Sequence, residues 1–308
     1  MDQDLKKMFE KQGYSIVGNH SAVKTCHWLR ESLIKDRPCY KQRFFGINSH
    51  RCLQMTPVAN ACNHSCIYCW RYQGRDDTDI EWDDPKSIVE GSIEAQRKLV
   101  SGFKGDGRCD PGMWEEARNP NQVAISLTGE PTMYPYLGDL IAEYKRRGFT
   151  TFLVTNGTIP ETLEELDPLP TQLYISIDAP NEEIYKKLCL PKRSGLWQKL
   201  IETLDLLPSL DTRKVGRHTL IKGWNLGFHE EYSKLDLRGE VDFIEPKGYV
   251  FVGYSRKRMS MDNMPSFGEV ENFAVRMGEL TGYGIVDSFG PSRVVLLSNG
   301  RKGATIEK

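Results

Sequence analysis

Long apolar runs are missing from this chain of 308 residues. No stretch approaches the roughly 20 apolar residues that a membrane-spanning helix needs, so no span is expected. The first residues, Met1-Asp2-Gln3-Asp4-Leu5-Lys6-Lys7, lack the apolar segment of a secretory leader, and neither secretion nor an anchor is indicated. A cytoplasmic location is the expectation, and thiols stay reduced there. The eight cysteines then read as ligands or free thiols rather than as a disulfide framework. An excess of one charge is missing too: the formal net charge is −1, which excludes a protein that is basic throughout. Internal repeats and low-complexity linkers are absent, leaving one structural unit, 53–308, preceded by an extension, 1–52.

What charge there is lies unevenly. Residues 20–75 hold nine Lys or Arg (24, 30, 35, 37, 41, 43, 51, 71, 75) against the acids Glu31 and Asp36, whereas residues 76–95 hold eight acids against Lys86. A basic segment beside an acidic one suits orientation of an anionic macromolecule such as RNA, although charge runs are commonly only solvated surface.

Residues 1–19 read as a short polar helix and 20–52 as an irregular segment. Strands are then expected at 53–58, 122–127, 151–155, 172–177, 217–221 and 241–244. Helices are expected at 85–103, 136–147, 160–166, 182–189, 197–207 and 229–235, with a closing helix at 266–281 and a hairpin of 284–288 with 293–297. Asp84-Pro85 supplies N-cap and first-turn chemistry, and Gly148 follows a basic helix end. Apolar strands interleaved with helices imply parallel strands joined by right-handed crossovers, hence an α/β barrel or an open doubly wound sheet of six βα units.

Three cysteines, Cys62, Cys66 and Cys69, fall in the order C-x3-C-x2-C. Thiolates this close select a soft metal centre, yet three ligands are one short of a closed site. A zinc knuckle completed by His64, or three inert thiols, are the structural alternatives. No C-x2-C pair recurs downstream as a zinc ribbon requires. Cys26, Cys39 and Cys52 form a more widely spaced set that a folded loop could gather around a second cluster; coincidence is the alternative. Cys109 and Cys189 lie outside both sets and read as free thiols.

In parallel α/β architectures ligands bind where strands end. Past the second strand comes Thr128-Gly129-Glu130-Pro131-Thr132, past the third Thr155-Asn156-Gly157-Thr158, and past the fourth Ser176-Ile177-Asp178-Ala179-Pro180. Each alone could be a turn. Arg217 and Thr219 on the fifth strand, with Lys222 and Asn225 after it, are weaker candidates.

With Tyr68 before its last cysteine, the triplet resembles the C-x3-C-x-aromatic-C signature of the radical S-adenosylmethionine (SAM) superfamily. That resemblance implies a partial (βα)6 TIM-like barrel and a 4Fe–4S cluster on Cys62, Cys66 and Cys69 whose open iron is chelated by SAM. It further implies that Glu130 meets the SAM amine, that Asn156, Ser176 and Asp178 lie near its ribose and carboxylate, and that Tyr68 neighbours its adenine. Thr128 stands where that superfamily usually has the first glycine of its GGE element.

Over nearly the whole chain, Cys26, Cys39 and Cys52 followed by MTPVANACNHSCIYCWR, SLTGEPTMYP, TNGT, SIDAP and PKGY resemble the archaeal wyosine-pathway family, the tRNA 4-demethylwyosine synthases. The resemblance implies condensation of N1-methylguanosine, beside the anticodon of phenylalanine tRNA, with two carbons of pyruvate. A deoxyadenosyl radical takes hydrogen from the N1-methyl group, the methyl-centred radical attacks pyruvate, and the carboxylate carbon departs. The implied cofactors are SAM and two 4Fe–4S clusters, the second on Cys26, Cys39 and Cys52. Lys41 becomes a candidate for a Schiff base with the pyruvate ketone; a surface lysine facing RNA phosphate is the alternative. An external flavodoxin- or ferredoxin-type electron donor and a monomer are expected.

Overall fold

A computed structural model of the chain describes residues 1, 3–73 and 80–306. In chain order its elements are α1 (Gln3–Lys11), β1 (Ser15–Val17), β2 (Ser21–Val23), α2 (His27–Lys35), α3 (Tyr40–Phe45), β3 (Cys52–Thr56), α4 (Pro85–Ser101), α5 (Pro111–Ala117), β4 (Gln122–Ile125), α6 (Leu137–Arg146), β5 (Thr150–Thr155), α7 (Pro160–Glu164), β6 (Gln172–Ser176), α8 (Glu182–Leu188), α9 (Leu196–Leu206), β7 (Arg213–Leu220), α10 (His229–Arg238), β8 (Phe243–Gly248), α11 (Phe267–Thr281), β9 (Gly284–Phe289) and β10 (Val294–Ser298). Arg75, Asp76, Asp77 and Asp79, part of the charge reversal noted above, lie outside the described residues.

One sheet runs β1-β2-β3-β4-β5-β6-β7-β8-β10-β9. Its six central strands, β3 to β8, pair in parallel and in sequence order. Helices follow each of them, so the core is a partial (βα)6 barrel. Antiparallel β2 and β10 extend it at the two edges.

The two faces of the sheet hold different chemistry, because side chains alternate along a strand. Leu53, Met55, Val123, Ile125, Leu153, Leu173, Ile175, Leu220 and Ile244 face outward into the main core with the helices. On the inner face, Phe152, Tyr174, Val215 and Phe243 pack against Tyr40, Phe44 and Phe45 of α3. The N-terminal extension therefore plugs the concave side of the barrel. Period-two alternation puts Ser176, Arg217, Thr219, Glu245 and Lys247 on that same inner face.

Some boundaries depart from expectation. The polar helix ends at Lys11, and Ser15–Val17 with Ser21–Val23 forms a hairpin. Gly18 sits at φ +59° in its turn, where an added Cβ would meet the Asp83 carboxylate at 2.2 Å. The segment 20–52 is not irregular, since it carries β2, α2 and α3. β7 starts at Arg213 rather than 217, and β8 spans 243–248 rather than 241–244. Glu245-Pro246-Lys247 does not read as a central strand, yet it pairs with β7 on one side and β10 on the other.

Candidate active site

Cys62, Cys66 and Cys69 lie on the loop that leaves β3. Gly129, at φ +70°, lets the loop after β4 pass against it: a Cβ there would stand 1.6 Å from the Val58 carbonyl oxygen. The Glu130 N–H donates to Ala61 O at 3.0 Å, tying the two loops together. Burial pushes the Cys62 thiol up to about 11. Arg71, 6 % exposed, donates from Nε to Cys69 Sγ at 3.2 Å and lies within 3.4 Å of His64 O. Burial works against its charge, but Cys62, Cys69 and Cys66 hold the guanidinium above its ordinary value. A buried guanidinium whose charged neighbours are thiols fits a negatively charged, thiolate-ligated group.

His64 does not complete that set. Its Nδ1 accepts from Asn156 Nδ2 at 2.8 Å, so its Nε2 donates to the Tyr185 hydroxyl at 2.5 Å. Burial, with Arg71 adding to it, holds the imidazole neutral, with a pKa lowered to about 3. Both ring nitrogens are spent, which removes the zinc knuckle. Among the described residues no three His, Cys, Asp or Glu gather as around a single metal ion. A cubane instead distributes thiolates over separate irons.

Around this loop stand the polar strand ends. Glu130 is 2 % exposed; its Oε1 accepts from Thr132 N, Thr132 Oγ1 and Thr155 Oγ1, and its Oε2 from Asn156 N. Burial raises its pKa, and those donors oppose the rise. Asn156 also donates to Asn63 Oδ1 at 2.7 Å, linking β5 to the cysteine loop. Tyr68 donates to Asp178 Oδ2 at 2.6 Å, and Asp178 Oδ1 accepts from Thr219 N at 2.7 Å. Ser176 is half-buried at the end of β6. Cys189, read as an ordinary thiol, lies against Cys66 and 3.9 Å from the Tyr68 hydroxyl.

The second set gathers at the plug. Cys26 is the N-cap of α2, Cys39 the N-cap of α3, and Cys52 opens β3. Burial raises all three thiols, Cys39 to about 12, and the charge of Cys26 adds to the rise at the other two. Lys41 and Lys247 oppose the rise at Cys26 and Cys39. Lys41 Nζ lies 4.3 Å from the Tyr174 ring centre and 4.8 Å from that of Phe152, and burial lowers its pKa. Lys247 Nζ lies 4.4 Å from the Tyr40 ring and donates to Ser292 O at 3.2 Å. Burial, then the nearby Arg217 charge, brings it down to about 8.

Residues 56–234 match the family model of the radical SAM superfamily, and 238–299 that of wyosine base formation. The chain is 52 % identical to the S-adenosyl-L-methionine-dependent tRNA 4-demethylwyosine synthase of Pyrococcus horikoshii, over 96 % of this chain and 89 % of that one. The chain belongs to the tRNA 4-demethylwyosine synthase family. The Methanocaldococcus jannaschii synthase is 40 % identical, over 96 % of both chains. A solved synthase, TYW1 with a lysine–pyruvate adduct bound, superposes at a TM-score of 0.91 with 36 % identity, over 99 % of each chain.

Several polar residues around the two cysteine sets were not singled out as site residues by the sequence. Arg71 and Asn63 carry no motif of their own. Glu245 and Lys247 had one available signal: ionisable groups at alternating positions of a parallel strand, where apolar residues are the rule, whereas Tyr40 on α3 had none.

Proposed function

We propose that this chain builds the tricyclic wyosine base by condensing N1-methylguanosine of phenylalanine tRNA with pyruvate, and that its two cysteine sets divide the work. The observation that carries the reading is the placement of both sets, with Lys41, around one concave barrel face. Cys62, Cys66 and Cys69 would hold a cluster, with SAM beside Glu130, Asn156, Ser176, Asp178 and Tyr68. When bound, cluster and SAM supply a 5′-deoxyadenosyl radical that removes hydrogen from the N1-methyl group. Cys26, Cys39 and Cys52 would hold a second cluster; helix N-termini at Cys26 and Cys39 favour their thiolates.

Lys41 is the residue proposed to form the lysine–pyruvate adduct. Its Nζ adds to the ketone carbon, and water leaves as the imine forms. Burial among Phe152 and Tyr174 favours the neutral amine that this addition needs, and those rings exclude bulk water.

RNA contact is assigned to the strap after β8. Residues 249–261 carry Arg256, Lys257 and Arg258 and no acid. Arg256 lies 5.3 Å from the Phe251 ring and Lys257 5.1 Å from that of Tyr254, beside exposed Val250 and Val252. Aromatic faces stack unpaired bases while cations meet phosphates. Arg258 donates to Ile67 O and Cys69 O, and Tyr254 N to Trp70 O, so the strap grips the cysteine loop. A flavodoxin- or ferredoxin-type donor, a monomeric state and a cytoplasmic location complete the proposal. Among the described residues no helix is long and apolar enough to cross a membrane.

The test is anaerobic incubation of reconstituted protein with SAM, a reductant, pyruvate and tRNA bearing N1-methylguanosine, followed by mass analysis of the nucleosides. The expected product is the tricyclic base. SAM cleavage beside an unchanged guanosine would overturn the reading.

A further inference from the structure

The second cysteine set adjoins a buried cage whose charges do not balance. Lys41, Lys247 and Arg217 converge there with Glu245, whose side chain is fully buried. Glu245 Oε1 accepts the Tyr40 hydroxyl at 2.8 Å and lies 3.7 Å from Arg217 Nε, beyond hydrogen-bond reach. Arg217 Nε and Glu245 Oε2 are both buried without a hydrogen-bond partner. Leaving such a group unpaired costs about 1–3 kcal/mol, more when it is charged. With Lys41 neutral for the addition proposed above, Arg217 and Lys247 stand against one carboxylate among the rings of Tyr40, Phe152 and Tyr174, and the unpartnered Arg217 Nε calls for a small anion.

We propose that Arg217 grips the carboxylate of the 2-oxo acid whose ketone Lys41 engages, and thereby selects 2-oxo acids over neutral ketones. This rests on the reading of Lys41 given above. A planar guanidinium matches a carboxylate with two parallel N–H donors, which an ammonium cannot reproduce. Lys247 is the competing cation; one of its three N–H donors goes to the Ser292 carbonyl, and it has no planar fork to match a carboxylate. The Arg217 side chain as a whole is 27 % exposed although its Nε is buried, so its accessible part lies within reach of a guest.

Position supports the assignment. Arg217 pairs in register with Ser176 of β6 and with Glu245 of β8. Its charge is held up, against burial, by Tyr40, Glu245, Asp178 and Tyr174. Tyr40 and Glu245 belong to the cage; Asp178 belongs to the Tyr68 pair beside the first set. A carboxylate held by Arg217 thus lies between the two cysteine sets, where a radical formed at one must meet a substrate held at the other. Tyr40, by bonding to Glu245, keeps that carboxylate facing the guanidinium and is a positioning residue.

The test is borohydride trapping of the imine in anaerobically reconstituted protein, read by intact-protein mass against concentration of pyruvate and, separately, of acetone, which has the ketone and no carboxylate. Loss of a charge-assisted bidentate contact predicts that Arg217→Gln lowers the ratio of pyruvate to acetone trapping by roughly 10- to 100-fold. Arg217→Lys should recover only part of it. An unchanged ratio in Arg217→Gln, including equal loss of both ketones, would overturn the inference while leaving Lys41 standing. Absence of trapping in the unmodified protein, or its survival in Lys41→Arg, would overturn the reading of Lys41 and this inference with it.

Discussion

Tyr40 on α3 donates its hydroxyl to Glu245 on β8 at 2.8 Å, joining residues 205 positions apart. That bond fastens the N-terminal plug to the barrel interior and sets Lys41, the next residue along, against Tyr174 and Phe152. Tyr40→Phe should destabilise the fold by about 1–3 kcal/mol, because the buried carboxylate loses a donor. A urea melt should show a lower midpoint, and imine trapping at Lys41 should slow. Adding Glu245→Gln should restore part of the stability, since a neutral amide costs less to leave short of a partner. An unchanged midpoint in Tyr40→Phe would remove the latch from the account.

Gly129→Ala should be costly for a reason unrelated to charge. The new Cβ would stand 1.6 Å from Val58 O and 2.7 Å from Ala61 O, at a backbone φ of +70°. Because those carbonyls belong to the cysteine loop, relief must come from moving the loop. Destabilisation of about 3 kcal/mol or more is expected, with reduced iron uptake on anaerobic reconstitution. Stability and iron content close to the parent protein would contradict the close approach.

The outer face carries its own titrating pair. His218 on β7 and Asp236 on α10 are both fully buried, with Nε2 and Oδ2 2.8 Å apart. Burial works against the imidazolium, but Asp236 outweighs it and the pKa is raised from 6.5. The folded state therefore holds this proton more tightly than the unfolded state. The stabilisation is complete below pH about 6.5 and is lost as pH rises through the raised value. Urea midpoints measured across that window should fall for the parent protein and flatten for Asp236→Asn. Parallel profiles would contradict the assignment.

How much of this was legible in advance follows from what each segment is made of. The apolar strands at 122, 151 and 172 announced themselves because burial on both faces leaves continuous hydrophobic runs. The family was legible because the C-x3-C-x2-C spacing of Cys62, Cys66 and Cys69 is written in residue type. The β1–β2 hairpin was not, since three-residue strands carry too little pattern to detect. Glu245-Pro246-Lys247 was misplaced outside a strand for the reason that makes it interesting: its charges serve the concave face instead of a core. Arg213 and Lys214 hid the start of β7 because two adjacent charges read as loop. Arg213 spends its guanidinium on the Gly303 and Ala304 carbonyls, while Lys214 Nζ reaches Leu207 O. Spacing alone also could not foretell that His64 turns both nitrogens away from the neighbouring thiols.

Separation of labour between the two cysteine sets is tested most directly by comparing Cys66→Ala with Cys39→Ala, measuring 5′-deoxyadenosine release and tricyclic nucleoside in the same anaerobic reaction. Cys66→Ala should lose both products. Cys39→Ala should still release 5′-deoxyadenosine and form no tricycle. Equal loss of both products in the two variants would contradict the account.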